Sequence, residues 1–445
     1  MNQKILLIGA GRSATHLIDY LANEGLQNNW EISITDRDMN LANSKAIYSN
    51  TVPVNLNIND EEALNKAVGA HDIVISMLPA HMHIPVAKSC LKMGRNMVTA
   101  SYLSDEMKQM DADVRAADLI FLNEVGLDPG LDHLSAKLII DRLHSQGFAI
   151  REFESFTGGL VAPENDDNPW HYKFTWNPRN VVLAGQGGAV KFLQEGQYKY
   201  IPYHKVFRRT EIIEIDGYGK FEGYANRDSL KYIETYDLQH VKTMYRGTLR
   251  RPGFCKAWDV FVSLGATDDS YTLENSENMT YREFINTFLA YHPTDSVEIK
   301  LKYYLQIAQD DQELWDRLEW LGIFSNTKIG IKNATPAQIL QHILEQKWGI
   351  KDDEKDMIVM WHKFIYHDGS QLKQLHGSIV VKGENQHHTS MSKTVGLPLG
   401  IATKLILQQK IHARGTLIPI DAEFYKPILD ELKLYGIEMV EKEIS

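Results

Sequence analysis

Three groups of residues have types and spacings that chemistry uses. The first is Gly9, Gly11 and Ala14 in ILLIGAGRSA, a G-x-G-x-x-A run that follows an apolar stretch and opens a helical one at residues 16–22. Gly9 permits a tight turn, Gly11 lets the backbone approach a pyrophosphate, and Ala14 keeps the helix close to the sheet. The helix start offers N–H groups and the positive end of its dipole to phosphates. A plain βαβ turn shows the same spacing, but here the second predicted strand ends in Asp36, 22 residues after Ala14, where a carboxylate can accept ribose hydroxyls. Arg37 follows at once. A carboxylate favours the free 2′-OH of NAD and a guanidinium the 2′-phosphate of NADP; Asp36 can also turn aside to Arg37 or a lysine, so the dipeptide leaves both cofactors open.

The second group stands at predicted strand ends. Ser101 and Tyr102 follow the fifth strand, at the carboxyl edge where open α/β sheets bind ligands, although core packing is the commoner fate of a lone tyrosine. Asp128 precedes Pro129 in LDPGLDHL, a pattern that reads as a helix N-cap with proline at the first helical position. The third group is His81 and His83, an H-x-H pair. No third ligand follows at supportive spacing, so no metal is expected.

These residues need a scaffold, and the first 125 positions supply one. Short β-rich runs at residues 4–9, 31–36, 52–56, 72–78, 96–99 and 119–122 alternate with helical stretches, the pattern of a doubly wound parallel sheet. From residue 150 the turn-rich segments GGL, APENDDNP and NPRN break that alternation, and strands at 153–157 and 211–215 open an α+β region. Residues 281–348 read as helical, with apolar positions three and four apart in REFINTFLAY, KYYLQIAQ and PAQILQHILEQ. DMIVMWHKFIYHDGSQ and GSIVVKG read as strands, and TVGLPLGIATKLILQQKI as a long apolar helix.

With 445 residues, two or three domains fit. A net charge of −11 without a Lys/Arg block argues against nucleic acid or an anionic membrane as partner. Two cysteines, Cys90 and Cys255, are too few for a disulfide framework or a four-thiolate zinc site and suit a reducing cytoplasm. The apolar run near the N-terminus is too short for a signal sequence or a membrane span.

Longer segments carry a resemblance. NEVGLDPGLDHL (123–134) and GGLVAPENDDNPWHYKFTWNPR (158–179) resemble the saccharopine reductase family, the NADP-linked, L-glutamate-forming saccharopine dehydrogenases. SMLPAHMH (76–83), VTASYLS (98–104), YANRDSL (224–230), YRGTLRRPGF (245–254) and SKTVGLPLGIA (392–402) extend it nearly end to end. The resemblance implies an α/β protein with a Rossmann dinucleotide-binding domain (1–126 and a returning 393–445), an α+β substrate-binding and dimerisation domain (127–280 and 353–392), and a helical insertion (281–352). It also implies a homodimer that oxidises the secondary amine of saccharopine with NADP or NAD, giving glutamate and α-aminoadipate semialdehyde. Related amine dehydrogenases, of the carboxynorspermidine or lysine 6-dehydrogenase type, are the nearest alternatives; a non-catalytic dinucleotide sensor is the distant one.

For the nucleotide the resemblance implies Gly9, Gly11, Arg12, Ser13, Ala14, Asp36, Arg37, Asn57, Ile58, Met77, Leu78, Thr99, Ala100, Val125, Gly126, Leu127 and Trp176. For the substrate it implies Ser101, Tyr102, Asp128, Arg227, Arg246, Gly247 and Thr248. The two arginines would clamp carboxylates, Gly247 and Thr248 would donate beside them, and Asp128 would accept from an ammonium; Arg250 and Arg251 have the weaker warrant. Asp128, Tyr102 or a water would move protons. Two departures stand out: Asp36 sits where the fungal members lack an acid, and Thr157 sits where they have a cysteine, which argues against covalent thiol catalysis.

Overall fold

The computed structural model describes residues 2–184, 186 and 188–444. The chain divides into two compact units, Met1–Ile150 with Tyr366–Ser445, and Arg151–Ile365.

The first unit is built on a parallel sheet. Along the chain its strands are β1 (Gln3–Ile8), β2 (Trp30–Thr35), β3 (Thr51–Pro53), β4 (Ile73–Ser76), β5 (Asn96–Thr99) and β6 (Ile120–Leu122). Their order is β6-β5-β4-β1-β2-β3, every pair parallel. Helices cover both faces of such a sheet, which is why the β1 run Ile5 to Ile8 is buried throughout instead of alternating. Five strand readings agree with the sequence within a residue or two at each end. The third is shorter than expected, an edge strand of Thr51–Pro53 that tolerates its proline because the Val54 N–H gives the bond to Ile34 O. A further parallel strand, Gly415–Leu417, adds beside β6 with Thr416 opposite Phe121. The helix Ser390–Leu407 packs on the helix Thr15–Asn28. The chain thus comes back to its first unit after residue 366.

The second unit holds β7 (Ala149–Val161), β8 (Val190–Gln194), β9 (Gln197–Ile201), β10 (Thr210–Ile215), β11 (Gly219–Ala225), β12 (Thr243–Arg250) and β13 (Asp356–His367). The path is β10-β11-β12-β7-β13, with β12 also meeting β8 and β8 pairing β9. β12 runs parallel to β7 and antiparallel to β11. Gly247 lies between Ala225 and Phe156, and an added Cβ there would overlap the Phe156 ring and the Tyr224 carbonyl. The predicted helical stretch contains Tyr281–Thr287, Val297–Tyr304, Gln312–Trp320 and Pro336–Trp348. Thr280 with Glu283, and Thr335 with Gln338, form reciprocal capping boxes that fix two of these starts. The core of this unit is aromatic: Trp348 meets Trp170, Tyr172, Phe174, Phe254 and Trp258 at 5.0–6.0 Å between ring centres.

The last strands, β14 (Leu372–Lys382), β15 (Gly415–Leu417, the strand beside β6) and β16 (Val440–Ile444), belong to the first unit, where β14 and β16 pair antiparallel. Among the described residues no helix is long and apolar enough to cross a membrane.

Candidate active site

In the first unit, Gly9 turns the chain after β1 with φ +105, where a side chain would be strained, and a Cβ would sit 3.0 Å from the Met77 carbonyl. Met77 itself donates its N–H to Ile8 O (2.8 Å), tying the ends of β1 and β4. A Cβ on Gly11 would meet nothing within 4 Å, so the backbone there has open space before it, as a pyrophosphate requires. Arg12 is exposed and Ser13 partly so, and Ala14 is buried where the helix begins. The site therefore fits a dinucleotide on its own geometry.

Asp36 corrects one expectation. Its Oδ2 accepts the Ala10 N–H at 2.8 Å and its Oδ1 the Asp38 N–H at 3.0 Å. The carboxylate turns to the backbone of the glycine loop, not to Arg37 or a lysine, because that loop ends beside β2 with amides that need an acceptor. Arg37 is exposed next to it. Beyond β3, Asn57 is exposed and its Oδ1 accepts the Asn59 N–H, while Ile58 and Leu78 pack on the cluster around Leu6, Ile8 and Leu56.

At the carboxyl ends of β4 and β5, Ser76 Oγ lies 2.8 Å from His83 Nδ1, and His83 Nε2 lies 2.7 Å from Ser101 Oγ. Burial, with His81 nearby, lowers the His83 pKa to about 4. Both ring nitrogens are committed to hydroxyls, and among the described residues no group of three or more His, Cys, Asp or Glu is placed to hold a metal. Thr99 Oγ1 accepts the Ser101 N–H (3.2 Å), and Ala100 lies against Gly126, where a Cβ would come within 2.9 Å.

The segment 123–130 is stitched to the same edge. Glu124 N–H donates to Ser101 O and Val125 N–H to Thr99 O. Buried Glu124 also accepts the Leu103 N–H (2.9 Å) and lies 2.7 Å from His133 Nε2. Val125 and Leu127 are buried. Asp128 is not the helix cap that its Pro129 neighbour suggests. The helix is Leu131–Ser145 with Gly130 at the N-cap, and Asp132 Oδ1 takes the Gly130 N–H at 2.7 Å. Asp132 reaches the amides at the helix start, and Asp128, one turn of loop earlier, accepts the Tyr102 hydroxyl at 3.0 Å.

In the second unit, alternation along β12 sets Arg246, Thr248 and Arg250 on one face. Arg246 is buried, its guanidinium 4.1 Å from the Tyr232 ring centre, and its N–H donates to Ser229 Oγ. Arg227 differs: it is exposed, in a left-handed turn at φ 52 after β11. Gly247 serves packing against Phe156, since a Cβ there would overlap the ring. Thr157, opposite Thr248, is buried with its hydroxyl unbonded. Trp176 is half-buried. Arg251 is used structurally, donating to Tyr218 O and lying over Phe221.

Arg250 is more deeply buried than its place in the sequence suggests. It is 6% exposed, sits over the rings of Tyr172, Phe254 and Tyr224 at 5.1, 5.3 and 5.9 Å, and donates only to Leu249 O. Its Nε has no partner, and no carboxylate lies within ion-pair distance among the described residues. Glu222, opposite on β11, spends its oxygens on the Gly253 and Cys255 amides. Burial pushes the Tyr172 and Tyr224 phenols and the Cys255 thiol up, so all three stay neutral. A buried guanidinium without a counter-charge is costly. The available signal was the two-residue spacing of Arg246, Thr248 and Arg250; burial is not legible from it.

Known proteins answer to this arrangement. Residues 5–122 match the model of the saccharopine dehydrogenase NADP binding domain and residues 126–437 that of the saccharopine dehydrogenase C-terminal domain. The chain is 33% identical to saccharopine dehydrogenase [NADP(+), L-glutamate-forming] of Saccharomyces cerevisiae over the full length of both. It is also 33% identical to the mitochondrial alpha-aminoadipic semialdehyde synthase of Mus musculus, over 98% of this chain and 47% of that one. Its fold superposes on the apo saccharopine dehydrogenase (L-Glu forming) from Saccharomyces cerevisiae with a TM-score of 0.90 at 31% identity, covering all of both chains. A dinucleotide loop in one unit, a cationic strand in the other and this end-to-end likeness have one common account: the chain belongs to the saccharopine dehydrogenase family.

Proposed function

We propose that the protein is an L-glutamate-forming saccharopine dehydrogenase, an oxidoreductase of lysine metabolism that interconverts saccharopine with glutamate and α-aminoadipate semialdehyde using NADP or NAD. The observation that carries this beyond dinucleotide binding is the buried, uncompensated Arg250, since a protein that only sensed a nucleotide would gain nothing from such a cation. Saccharopine has three carboxylates to offer it and its neighbours.

Gly9, Gly11, Ser13 and Ala14 would hold the pyrophosphate, Arg12 and Arg37 the outer phosphates, and Thr99, Ala100 and the 125–127 backbone the nicotinamide end. A bound nicotinamide would supply the hydride acceptor for the methylene carbon beside the secondary amine, the oxidation that lets water release glutamate and the semialdehyde. Asp36 spends its charge on two backbone amides, so Arg37 is the side chain that would read the 2′ position, and the reading favours NADP. Arg227, Arg246 and Arg250 take substrate carboxylates, with Thr248 donating beside them. Asp128 accepts from a substrate ammonium, and the Tyr102 hydroxyl, bonded to it at 3.0 Å, holds or passes a proton. Orientation supplies much of the acceleration, because the reacting amine need only be neutral and correctly placed.

The reading extends to a cytoplasmic homodimer without nucleic-acid or membrane partners. Both cysteines are unpaired and buried, the net charge is −11, and Tyr198 and Tyr200 on β9 are 65% and 60% exposed, apolar surface that a second copy would cover. It retains the three-part organisation, with 1–126 and 393–445 for the nucleotide, 127–280 and 353–392 for the substrate, and 281–352 as the helical part.

The test is a spectrophotometric assay of the purified protein with saccharopine and each nucleotide. Reduced cofactor with stoichiometric glutamate is expected. If saccharopine yields none with NADP or NAD while lysine or carboxynorspermidine does, the assignment falls.

A further inference from the structure

The residues Ser76, His83 and Ser101 form one continuous relay that the proposed reaction does not yet use. The sheet brings its ends together: Ser76 is the last residue of β4, opposite Thr99, the last of β5, and Ser101 stands two residues further on. His83 opens the helix that follows β4. Its Nδ1 is 2.8 Å from Ser76 Oγ and its Nε2 2.7 Å from Ser101 Oγ.

Hydrogen-bond arithmetic fixes the direction of this relay. Ser76 is fully buried, and His83 is the one partner of its hydroxyl among the described residues. A buried O–H left without an acceptor is expensive, so Ser76 donates to Nδ1. The imidazole is neutral at physiological pH, its pKa lowered to about 4 by burial, and has one donor and one acceptor. With Nδ1 accepting, Nε2 carries the proton and donates to Ser101 Oγ. Ser101 is only partly buried, and its own O–H is thereby turned away from His83, toward an acceptor of another kind.

We propose that His83 is a positioning residue that presents the Ser101 hydroxyl as a hydrogen-bond donor to a carboxylate oxygen of the substrate. This rests on the reaction assigned above and on the substrate contact that the family resemblance implies for Ser101. A neutral ring suits the task, because it fixes the hydroxyl's direction without adding charge of its own.

The experiment compares wild type, Ser101→Ala, His83→Leu, the double variant and His83→Gln, by steady-state kinetics with saccharopine and by NADP titration. His83→Leu and Ser101→Ala should each raise the saccharopine KM about tenfold, the effect of one lost bond to a charged group, with kcat within about twofold. The double variant should be no worse than either single one. His83→Gln, whose amide can donate from the Nε2 position, should recover most of the loss, and NADP affinity should not move. Ser76→Ala keeps the ring but frees its tautomer and should raise KM about threefold; it carries the same test if His83→Leu does not fold, and an unchanged KM then overturns the proposal. Wild-type protein that does not turn over saccharopine overturns the assigned reaction and this inference with it. Wild-type turnover with His83→Leu unchanged, or with effects that add to those of Ser101→Ala, overturns the role of His83 alone.

Discussion

Arg250→Met is expected to lose activity without losing stability. The wild-type guanidinium is 6% exposed, has no ion-pair partner among the described residues, and leaves Nε unbonded. Burying such a cation costs several kcal/mol. The three aromatic rings at 5.1–5.9 Å return about 0.5–2 kcal/mol each at most, so the residue is close to neutral or destabilising in the unliganded protein. Methionine fills a comparable volume without charge and packs well on aromatic faces. The melting temperature of the unliganded variant should therefore stay level or rise, by roughly 2–4 °C per kcal/mol for a unit of this size. With saccharopine the balance reverses: a carboxylate that met the guanidinium now lacks its partner, a loss of about 3 kcal/mol, or somewhat over a hundredfold in kcat/KM at about 1.4 kcal/mol per decade. Thermal melts with and without saccharopine, beside steady-state kinetics and NADP titration, read both halves. Saccharopine should raise the melting temperature of wild type but not of the variant. A variant that melts several degrees lower and keeps kcat/KM within about threefold would show that Arg250 holds the aromatic core together and binds no substrate.

Arg37→Ala should weaken NADP by about tenfold or more and leave NAD unchanged, whereas Asp36→Ala, which strips the acceptor from the Ala10 amide, should weaken both by similar factors; calorimetric titration decides, and an Asp36 variant that gained NADP while losing NAD would return that acid to the ribose. Gly247→Ala should cost about 1–3 kcal/mol in urea unfolding, and adding Phe156→Leu should restore only part, because the Tyr224 carbonyl still blocks the new methyl. His83 has a folded pKa of about 4 against an ordinary 6.5, so below pH 6.5 the unfolded chain binds a proton that the folded one refuses. Its contribution is intact above pH 6.5 and drains away as pH falls toward 4, at about 1.4 kcal/mol per unit. Between pH 7 and 4.5 wild type should accordingly lose about 2–3 kcal/mol more stability than His83→Gln, and equal losses would mean that the ring is not buried neutral.

The sequence was most legible where one physical rule dominates. ILLIGAG announces a buried parallel strand feeding a glycine turn, because no other element tolerates that apolar run followed by those glycines. Apolar spacing likewise marks residues 281–348 as helical, and the structure adds capping boxes at Thr280 and Thr335. Legibility failed where the outcome turned on which of several competent partners was nearer. Asp128 reads as the cap, yet the path of the turn puts Gly130 at the N-cap, with Asp132 reaching back to its N–H. For Asp36 the sequence left a ribose, Arg37 or a lysine open, and it gave no sign of the backbone amides that its two oxygens accept. Arg246 and Arg227 looked alike as text, yet one lies buried along a strand and the other is exposed in a turn. The short strand Gly415–Leu417 was invisible because three residues carry no period; its pairing with β6 is settled by tertiary contact.

That late strand has a consequence for how the protein comes into being. Gln3 bonds to Leu407 and Tyr20 to Glu431, so residues of the first segment must wait for partners in a segment made much later. The segment Arg151–Ile365 is continuous and has its own core, and it can condense as it emerges; the unit that carries the nucleotide-binding sheet cannot close until its second segment, from Tyr366 onward, has been made. During that interval the helix Thr15–Asn28 and the open flank of β6 lack their final cover. Non-local closure of this kind is slow and leaves apolar surface and unpaired strand edge exposed to aggregation. For this architecture the vulnerable moment is birth, and the demand for chaperone assistance should fall on the unit whose two segments are made on either side of the other.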